Sequence, residues 1–370
     1  MHFNFGARGW KPCPIGREKM NIFAKKDLIG LDIGSSSIKA VELEWGKKAP
    51  KLKHFGMIPL PPEAIVDGAF MDSASIVESI RSLVEGLKVK TKNVAVSISG
   101  HSVIIKKINV AVMSEVQLEE SIKWEAEQHI PFDIEDVNLD FQILDEPAGP
   151  DQMPVLLVAA KKDMINDYTA VITEAGLHPV IVDVDSFAIE NAYNLNYESP
   201  EEEVIALVNI GAGVMNINIL KGGTSAFTRD IAIGGRQITE EIQKRLKMTY
   251  EEAESLKIKE RDSSPQSVEV GKIIDGTAEQ LATEVRRSLE FFAASSSGGE
   301  IKKGFLSGGC AQIKMLPALI EERIGIPVEV FNPFVKIDCD PATFDPEYIK
   351  QIAPLTAVGV GLALRKEGLK

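Results

Sequence analysis

Cysteine is scarce. The three in 370 residues, Cys13, Cys310 and Cys339, are odd in number and have no paired spacing. That excludes a disulfide framework and a cysteine zinc site, and it suits a reducing compartment, so a cytoplasmic chain is expected. Long apolar runs are also missing: no stretch approaches the roughly 18 uninterrupted apolar residues of a membrane-spanning helix. Positive charge is in deficit, with 41 Lys and Arg against 54 Asp and Glu and a formal charge of −13. Such a balance repels nucleic acid at long range, and no basic run interleaved with aromatics offsets it locally. The sequence has neither a GxxxxGK[ST] loop nor a GxGxxG after its first strand, which removes the commoner nucleotide-binding folds.

What is present reads as an ordinary globular composition, 44% hydrophobic and 26% charged. The length calls for two or more lobes, each with its own core. Residues 1–19 (MHFNFGARGWKPCPIGREK) show no period and no apolar signal-peptide core. They read either as the product of an upstream start codon, with Met20 opening the functional chain, or as a flexible partner-binding tail.

From there strands and helices alternate: LIGLDIG, IKAVELEW, the amphipathic IVESIRSLVEGL, then NVAVSISG. This indicates an α/β protein. Ser114 with Gln117 forms a capping box, and Leu118, Ile122 and Ala126 share one helical face until Pro131. That helix, followed by the acidic DEPAGPDQMP, VLLVAA, a helix ending near Gly176 and PVIVDVD, suggests a small subdomain inserted over residues 108–184. Further on, KMTYEEAESLKIKERDSSPQSVEVGK reads as charged and mostly helical. ATEVRRSLEFFAA reads as a helix with Phe291 and Phe292 on its core face, and SSSGGE as a surface turn.

An internal repeat carries the chemistry. LDIGSSSIKAVELEWG from Leu31 aligns without a gap on VNIGAGVMNINILKGG from Val208, matching Asp32 to Asn209, Gly34 to Gly211, Leu43 to Leu220 and Gly46 to Gly223. Each copy is a β-hairpin whose Gly/Ser turn exposes backbone N–H groups, and two such turns facing each other could clamp a phosphate chain. Asp32, at a strand end, could hold a hydrated magnesium. After the second hairpin, AIGGRQITEEIQKRL places Glu240 and Lys244 one helical turn apart, where they could grip a ribose or form a solvated surface pair. In GFLSGGCAQIKML a Gly308–Gly309 turn could let a planar base lie on backbone, or could merely join strand to helix. APLTAVGVGLALR is a small-residue helix suited to a hinge, with Gly359 and Gly361 permitting close packing.

In this order the segments resemble the actin-like ATPase superfamily. DIGSSSIK resembles its phosphate 1 motif, VNIGAGVMNINIL phosphate 2, FLSGGCAQIKML the adenosine motif, and SFAIENAYN and TAVGVGLAL the two connecting helices. Over residues 21–365 the chain is similar to the FtsA family of cell-division proteins and, more nearly, to the PilM family of type IV pilus assembly. It stops at RKEGLK, without the linker and amphipathic helix of the FtsA family.

The resemblance implies a two-lobed, ribonuclease H-like fold of duplicated mixed sheets. The first lobe would span 20–107, the inserted SHS2-type subdomain 108–184, and the connecting helix 185–204. The second-lobe core would take 205–240 and 301–352, its upper subdomain 241–300, and the hinge helix 353–370.

The implied cofactors are ATP and Mg2+. Asp32 would coordinate the magnesium through water, while Gly34, Ser35, Ser36 and Lys39 would bind phosphate, clamped by Asn209, Gly211 and Gly213 from the other lobe. Glu240 and Lys244 would face the ribose, and Gly308 and Gly309 the adenine. Asp185 would orient the attacking water, with Glu190 an alternative and Asp183 nearby. Asn209 stands where the superfamily usually has Asp, which removes a charge and implies, at most, a slow ATPase.

The implied partners are the N-terminal cytoplasmic peptide of PilN, PilO indirectly, and the motor components PilB, PilT and PilC at the inner-membrane face, in twitching motility. An FtsA-like filament, through self-association, or a kinase of the same fold is the alternative.

Overall fold

Apolar runs here become strands, and 3.6-residue periodicity becomes helices that cover them. The structure, a computed structural model, describes residues 28–366 apart from 47, 145–148, 259–263 and 296–298. The expectations for residues 1–19 and for a start at Met20 lie outside the described residues. Those for DEPAGPDQMP, the KIKERDSS stretch, the SSSGGE turn and the closing RKEGLK lie partly outside them.

β1 (Ile29–Ile33), β2 (Ser37–Trp45) and β3 (Pro50–Pro59) form an antiparallel meander. A short ribbon of β4 (Ile65–Val66) and β5 (Ala69–Phe70) leads into α1 (Ser73–Leu87), which Asp72 caps by accepting the Ser75 N–H at 3.0 Å. α1 buries Ile76, Val77, Ile80, Leu83 and Val84 in the core formed with the sheet. β6 (Asn93–Ile98) then pairs in parallel with β1.

The inserted unit comprises β7 (Val103–Ala111), α2 (Glu115–Glu127), β8 (Val137–Ile143) and β9 (Gln152–Lys161), in an antiparallel sheet of order β7-β9-β8. Both halves of the Ser114–Gln117 capping box form, and Leu118, Ile122 and Ala126 bury against Val155, Leu157 and Ala159. α3 (Lys162–Glu174) and β10 (His178–Val184) depart from the expected 108–184 boundary. β10 pairs in parallel with β6, so both elements rejoin the first lobe and the insertion covers about 103–161. Apolar content alone could not choose between the two sheets, because hydrogen-bond pairing decides which sheet a buried strand joins.

α4 (Asp185–Asn196) crosses to the second lobe. There follow β11 (Val204–Ile210), β12 (Met215–Lys221), β13 (Thr224–Ile231), α5 (Arg236–Leu246), α6 (Tyr250–Ile258), α7 (Pro265–Ser295), β14 (Ile301–Ser307), α8 (Leu316–Ile324), β15 (Val328–Val330), α9 (Pro346–Ile352) and α10 (Ala357–Ala363). On α7, Phe292 is buried but Phe291 is 59% exposed and only touches Phe227, since adjacent helical residues point about 100° apart.

The duplication extends to whole lobes. The first sheet runs β10-β6-β1-β2-β3 and the second β15-β14-β11-β12-β13, with the same parallel and antiparallel neighbours in each. Register repeats too: Asp32 faces Lys39 as Asn209 faces Asn216.

Between the lobes α10 crosses α4 at backbone contact. A Cβ on Gly361 would lie 1.7 Å from the Ala188 carbonyl oxygen, and one on Gly30 2.2 Å from that of Gly359. Gly361→Ala is therefore expected to lower unfolding free energy by about 3 kcal/mol. Gly276→Ala, in open space within α7, should raise it by about 0.8 kcal/mol through helix propensity. Urea unfolding midpoints check both, and a neutral Gly361→Ala would refute the crossing.

Candidate functional site

The two repeated hairpins turn toward each other. In the first, the Gly34 N–H donates to the Ser37 carbonyl at 3.2 Å; in the second, the Gly211 N–H donates to the Val214 carbonyl at 3.0 Å. The turns meet across the interlobe cleft, where a Cβ on Gly213 would lie 3.0 Å from Ser35 Oγ. Arg236, at the start of α5, ties them further by donating from Nη2 to the carbonyls of Ser35 at 3.2 Å and Ile65 at 3.0 Å.

Beneath the turns lies a cavity of about 680 Å³. Asp32, Gly34, Ser35, Ser36, Lys39 and Asp185 line it from one lobe, and Asn209, Gly211, Gly213, Gly308 and Gly309 from the other. The structure thus brings together eleven of the thirteen residues assigned a site role in sequence, Glu190 and Asp183 being named there only as alternatives to Asp185.

Asp32 accepts from Lys39 Nζ at 3.0 Å, with both side chains largely buried. Asp185 opens α4 and accepts from Ser97 Oγ at 2.5 Å. Burial first, then the Asp32 charge, pushes its carboxyl up to about 7. Asn209 accepts from Ser307 Oγ at 3.1 Å and donates to Asn216 Oδ1 at 2.9 Å. Gly308 has φ +86°, and a Cβ there would lie 2.3 Å from the Ile210 carbonyl oxygen, so no other residue fits this turn unstrained. The neighbouring Cys310 is buried, which pushes its thiol up to about 11, too weakly acidic for a nucleophile at neutral pH.

Glu240 and Lys244 are corrected. Both are exposed on α5, opposite its buried Ile238, Thr239 and Ile242, and neither reaches the cavity. The acid and base at the cavity wall are instead Glu254 and Lys257 on α6. Lys257 Nζ lies 2.7 Å from Glu254, 3.0 Å from Thr239 Oγ1 and 3.3 Å from the Gly235 carbonyl. The available signal was an i,i+3 Glu–Lys pair just after Ala253, the buried residue of α6.

The alternatives to Asp185 stand elsewhere. Asp183 is fully buried and pairs with Arg365 at 2.5 Å. Glu190 lines a separate small cavity with Asn191, Ser225 and Arg365. The single Ser225 hydrogen faces both Glu190 and Asn218, so all contacts are met when Glu190 carries a proton. Burial above all pushes Glu190 up to about 7.

Duplicated lobes with a cleft between paired glycine-bearing turns define an actin-like protein. A sequence model of the family described as type IV pilus assembly protein PilM matches residues 30–367, and the chain belongs to that family. The solved PilM-PilN type IV pilus biogenesis complex superposes with a TM-score of 0.81 at 31% identity, covering 91% of this chain and 98% of that one. Cell division protein FtsA of Bacillus subtilis is 26% identical over 254 residues, 62% of this chain and 57% of that protein's length. MreB5 of Spiroplasma citri, solved bound to AMPPNP, shares the fold with a TM-score of 0.50 at 13% identity, covering 91% of this chain and 94% of that one. Among the described residues no helix is long and apolar enough to cross a membrane.

The buried acids set a pH dependence. Asp185 and Glu190 rise from 3.8 and 4.5 when unfolded to about 7 when folded, so their contribution to stability is complete below about pH 4 and is lost as pH rises through about 7. Glu190→Gln, which keeps a donor toward Ser225, is expected to gain on the order of 2 kcal/mol over wild type at pH 8. The two should converge below about pH 4; thermal melts from there to pH 8 check the sign, and a pH-independent difference would refute it.

Proposed function

We propose that this chain is an ATP-binding scaffold of type IV pilus assembly that takes up the N-terminal cytoplasmic peptide of PilN at the inner-membrane face. Through PilN, and PilO beyond it, the chain links to the motor components PilB, PilT and PilC. The observation that carries the nucleotide half is the pair of repeated turns facing each other over one cavity, with the Glu254–Lys257 ion pair in its lining. The partner half rests on membership of the PilM family and on likeness to a solved PilM-PilN complex.

The residues suit a nucleotide. Gly34, Gly211 and Gly213 leave room beside backbone N–H groups, and Lys39 and the hydroxyls of Ser35 and Ser36 add donors for phosphate oxygens. Gly308 and Gly309 leave backbone open to a flat base, and Lys257 with Glu254 suits sugar hydroxyls. Among the described residues no group of three or more His, Cys, Asp or Glu could hold a metal by itself. This agrees with magnesium, which keeps most of its waters and binds chiefly to phosphates, with Asp32 gripping that water shell. Bound magnesium and nucleotide would neutralise each other's charge and draw the two turns together.

Hydrolysis is slow or absent in this reading. Asn209 offers an amide where a carboxylate would attract metal and orient water, and Asp185 is largely protonated below neutral pH. Closure acts on PilN only through different affinities of the open and closed forms.

Calorimetry with Mg-ATP should show affinity falling about tenfold or more in Asp32→Ala and in Lys257→Ala, and unchanged in Glu240→Ala. Equal affinities across all of them would remove the site assignment. Titrating a synthetic PilN N-terminal peptide should give saturable binding whose affinity differs with and without Mg-ATP, and no binding in either state would overturn the scaffold reading.

A further inference from the structure

A single polar row crosses the second sheet at the cleft. Ser307 on β14, Asn209 on β11, Asn216 on β12 and Asp230 on β13 stand directly opposite one another in consecutive strand pairs. Their side chains are joined end to end. Ser307 Oγ donates to Asn209 Oδ1 at 3.1 Å, Asn209 Nδ2 to Asn216 Oδ1 at 2.9 Å, and Asn216 Nδ2 to Asp230 Oδ1 at 2.8 Å. The row does not end in its own lobe. The other oxygen of Asp230 accepts the Gly100 N–H at 2.6 Å, across the cleft.

Gly100 lies in the turn from β6 of the first-lobe sheet to β7 of the inserted sheet, with φ +92°. The same turn is held from the cavity side, because Ser99 hydrogen-bonds to Asp185. One carboxylate from each lobe therefore grips the root of the insertion, and one of them is wired to the residue at the head of the second phosphate-binding turn.

We infer that the row Ser307–Asn209–Asn216–Asp230 couples occupation of the cleft to the position of the inserted subdomain, through the Gly100 N–H. The inference rests on the nucleotide reading above and adds the path by which the cleft acts on the insertion. Asp230 serves as a positioning residue: it does not line the cavity, and it acts through the amides of Asn216 and Asn209.

The polarity of the row accounts for Asn209. Asp230 only accepts, so Asn216 must turn its NH2 toward Asp230 and its oxygen toward position 209, which must then donate. An amide donates and an ionised carboxylate cannot. With Asp at 209, either Asn216 would face two acceptors with its one NH2 group or one of the links would break. The negative charge of the row sits at Asp230, where it holds the other lobe.

The test is hydrogen–deuterium exchange on the full chain, with and without saturating Mg-ATP, occupancy being set for each variant by calorimetry. In wild type, amides of 99–127 should exchange about threefold or more slowly with nucleotide. Asp230→Asn keeps the shape but has only one accepting atom, so it must lose the link to Gly100 or to Asn216, and the nucleotide-dependent difference should fall to less than about a third. The double change Asn216→Asp with Asp230→Asn reverses the link between those two positions and leaves the direction of the links to Asn209 and Gly100 unchanged. The new carboxylate accepts from both neighbours and the new amide oxygen accepts from Gly100, so the difference should return to within about twofold of wild type.

A full response in Asp230→Asn, a double variant no better than the single, or a wild type that binds Mg-ATP with no change at 99–127 would each overturn the coupling while leaving the nucleotide site standing. A wild type that does not bind Mg-ATP would overturn the nucleotide reading and the coupling with it.

Discussion

The crossing of α10 over α4 sets the distance between the lobes. Two helices approach until one backbone touches the other, because Gly361 presents no side chain to the Ala188 carbonyl. Glycine is required there by space, not by dihedral angle. Were that contact one methyl group wider, the close approach of the turns at Ser35 and Gly213 would loosen, and the hydrogen bonds that Arg236 donates and Asp230 accepts across the cleft would lengthen. The same crossing carries the chain end back to the first lobe, where Arg365 reaches the fully buried Asp183. A buried ion pair adds little net stability, but leaving either charge without its partner is costly, so the pair penalises any shift of the terminal segment.

Around this pivot the protein buries acids instead of excluding them. Asp185, Glu190 and Asp230 all take up protons more readily than exposed carboxyls, and in each case desolvation is the leading cause. Each is attached to more than one element: Asp185 to Ser97 on β6 and Ser99 in the turn after it, Glu190 to Ser225 and Asn218 on two strands of the other lobe, Asp230 to Asn216 and Gly100. One hydrophobic cluster fills each lobe and a third joins them at the hinge, from Val41 and Phe55 through α4 and α10 to Leu207 and Phe305, whereas the contacts at the cleft turns are polar and directional. Polar contacts can be broken and remade in a new geometry with little loss of buried apolar area, which suits a cleft that opens and closes.

Much of the cleft was legible in the chain itself. A gapless repeat placed Asp32 against Asn209 and Gly34 against Gly211, and the structure returns the same pairs as equivalent positions of two hairpins. The Ser114 capping box and the face Leu118, Ile122, Ala126 were equally plain, since caps and helical faces depend on spacing of a few residues. The limit of the insertion was not plain. β10 is as apolar as the strands before it, and only its pairing with β6 shows that it belongs to the first lobe. Glu240 with Lys244 and Glu254 with Lys257 look alike on paper, each an acid and a base on one helical face. Which pair looks inward is settled by how α5 and α6 pack, with Thr239 and Ala253 buried on their inner faces.

The residue order therefore carried whatever depends on near neighbours and on repetition: the two hairpins, their glycines, the strand-end Asp32, the caps, and the amide at Asn209 in place of an acid. It did not carry what depends on pairing and on helix orientation. Asp230 is the clearest case. Nothing near it in the chain marks it out, yet strand register aligns it with Ser307, Asn209 and Asn216, residues 77, 21 and 14 positions away, and the meeting of the lobes supplies Gly100 as its partner. Register and lobe contact are properties of the assembled sheets, because hydrogen bonds between strands link residues by place in space and leave no trace in the spacing of letters.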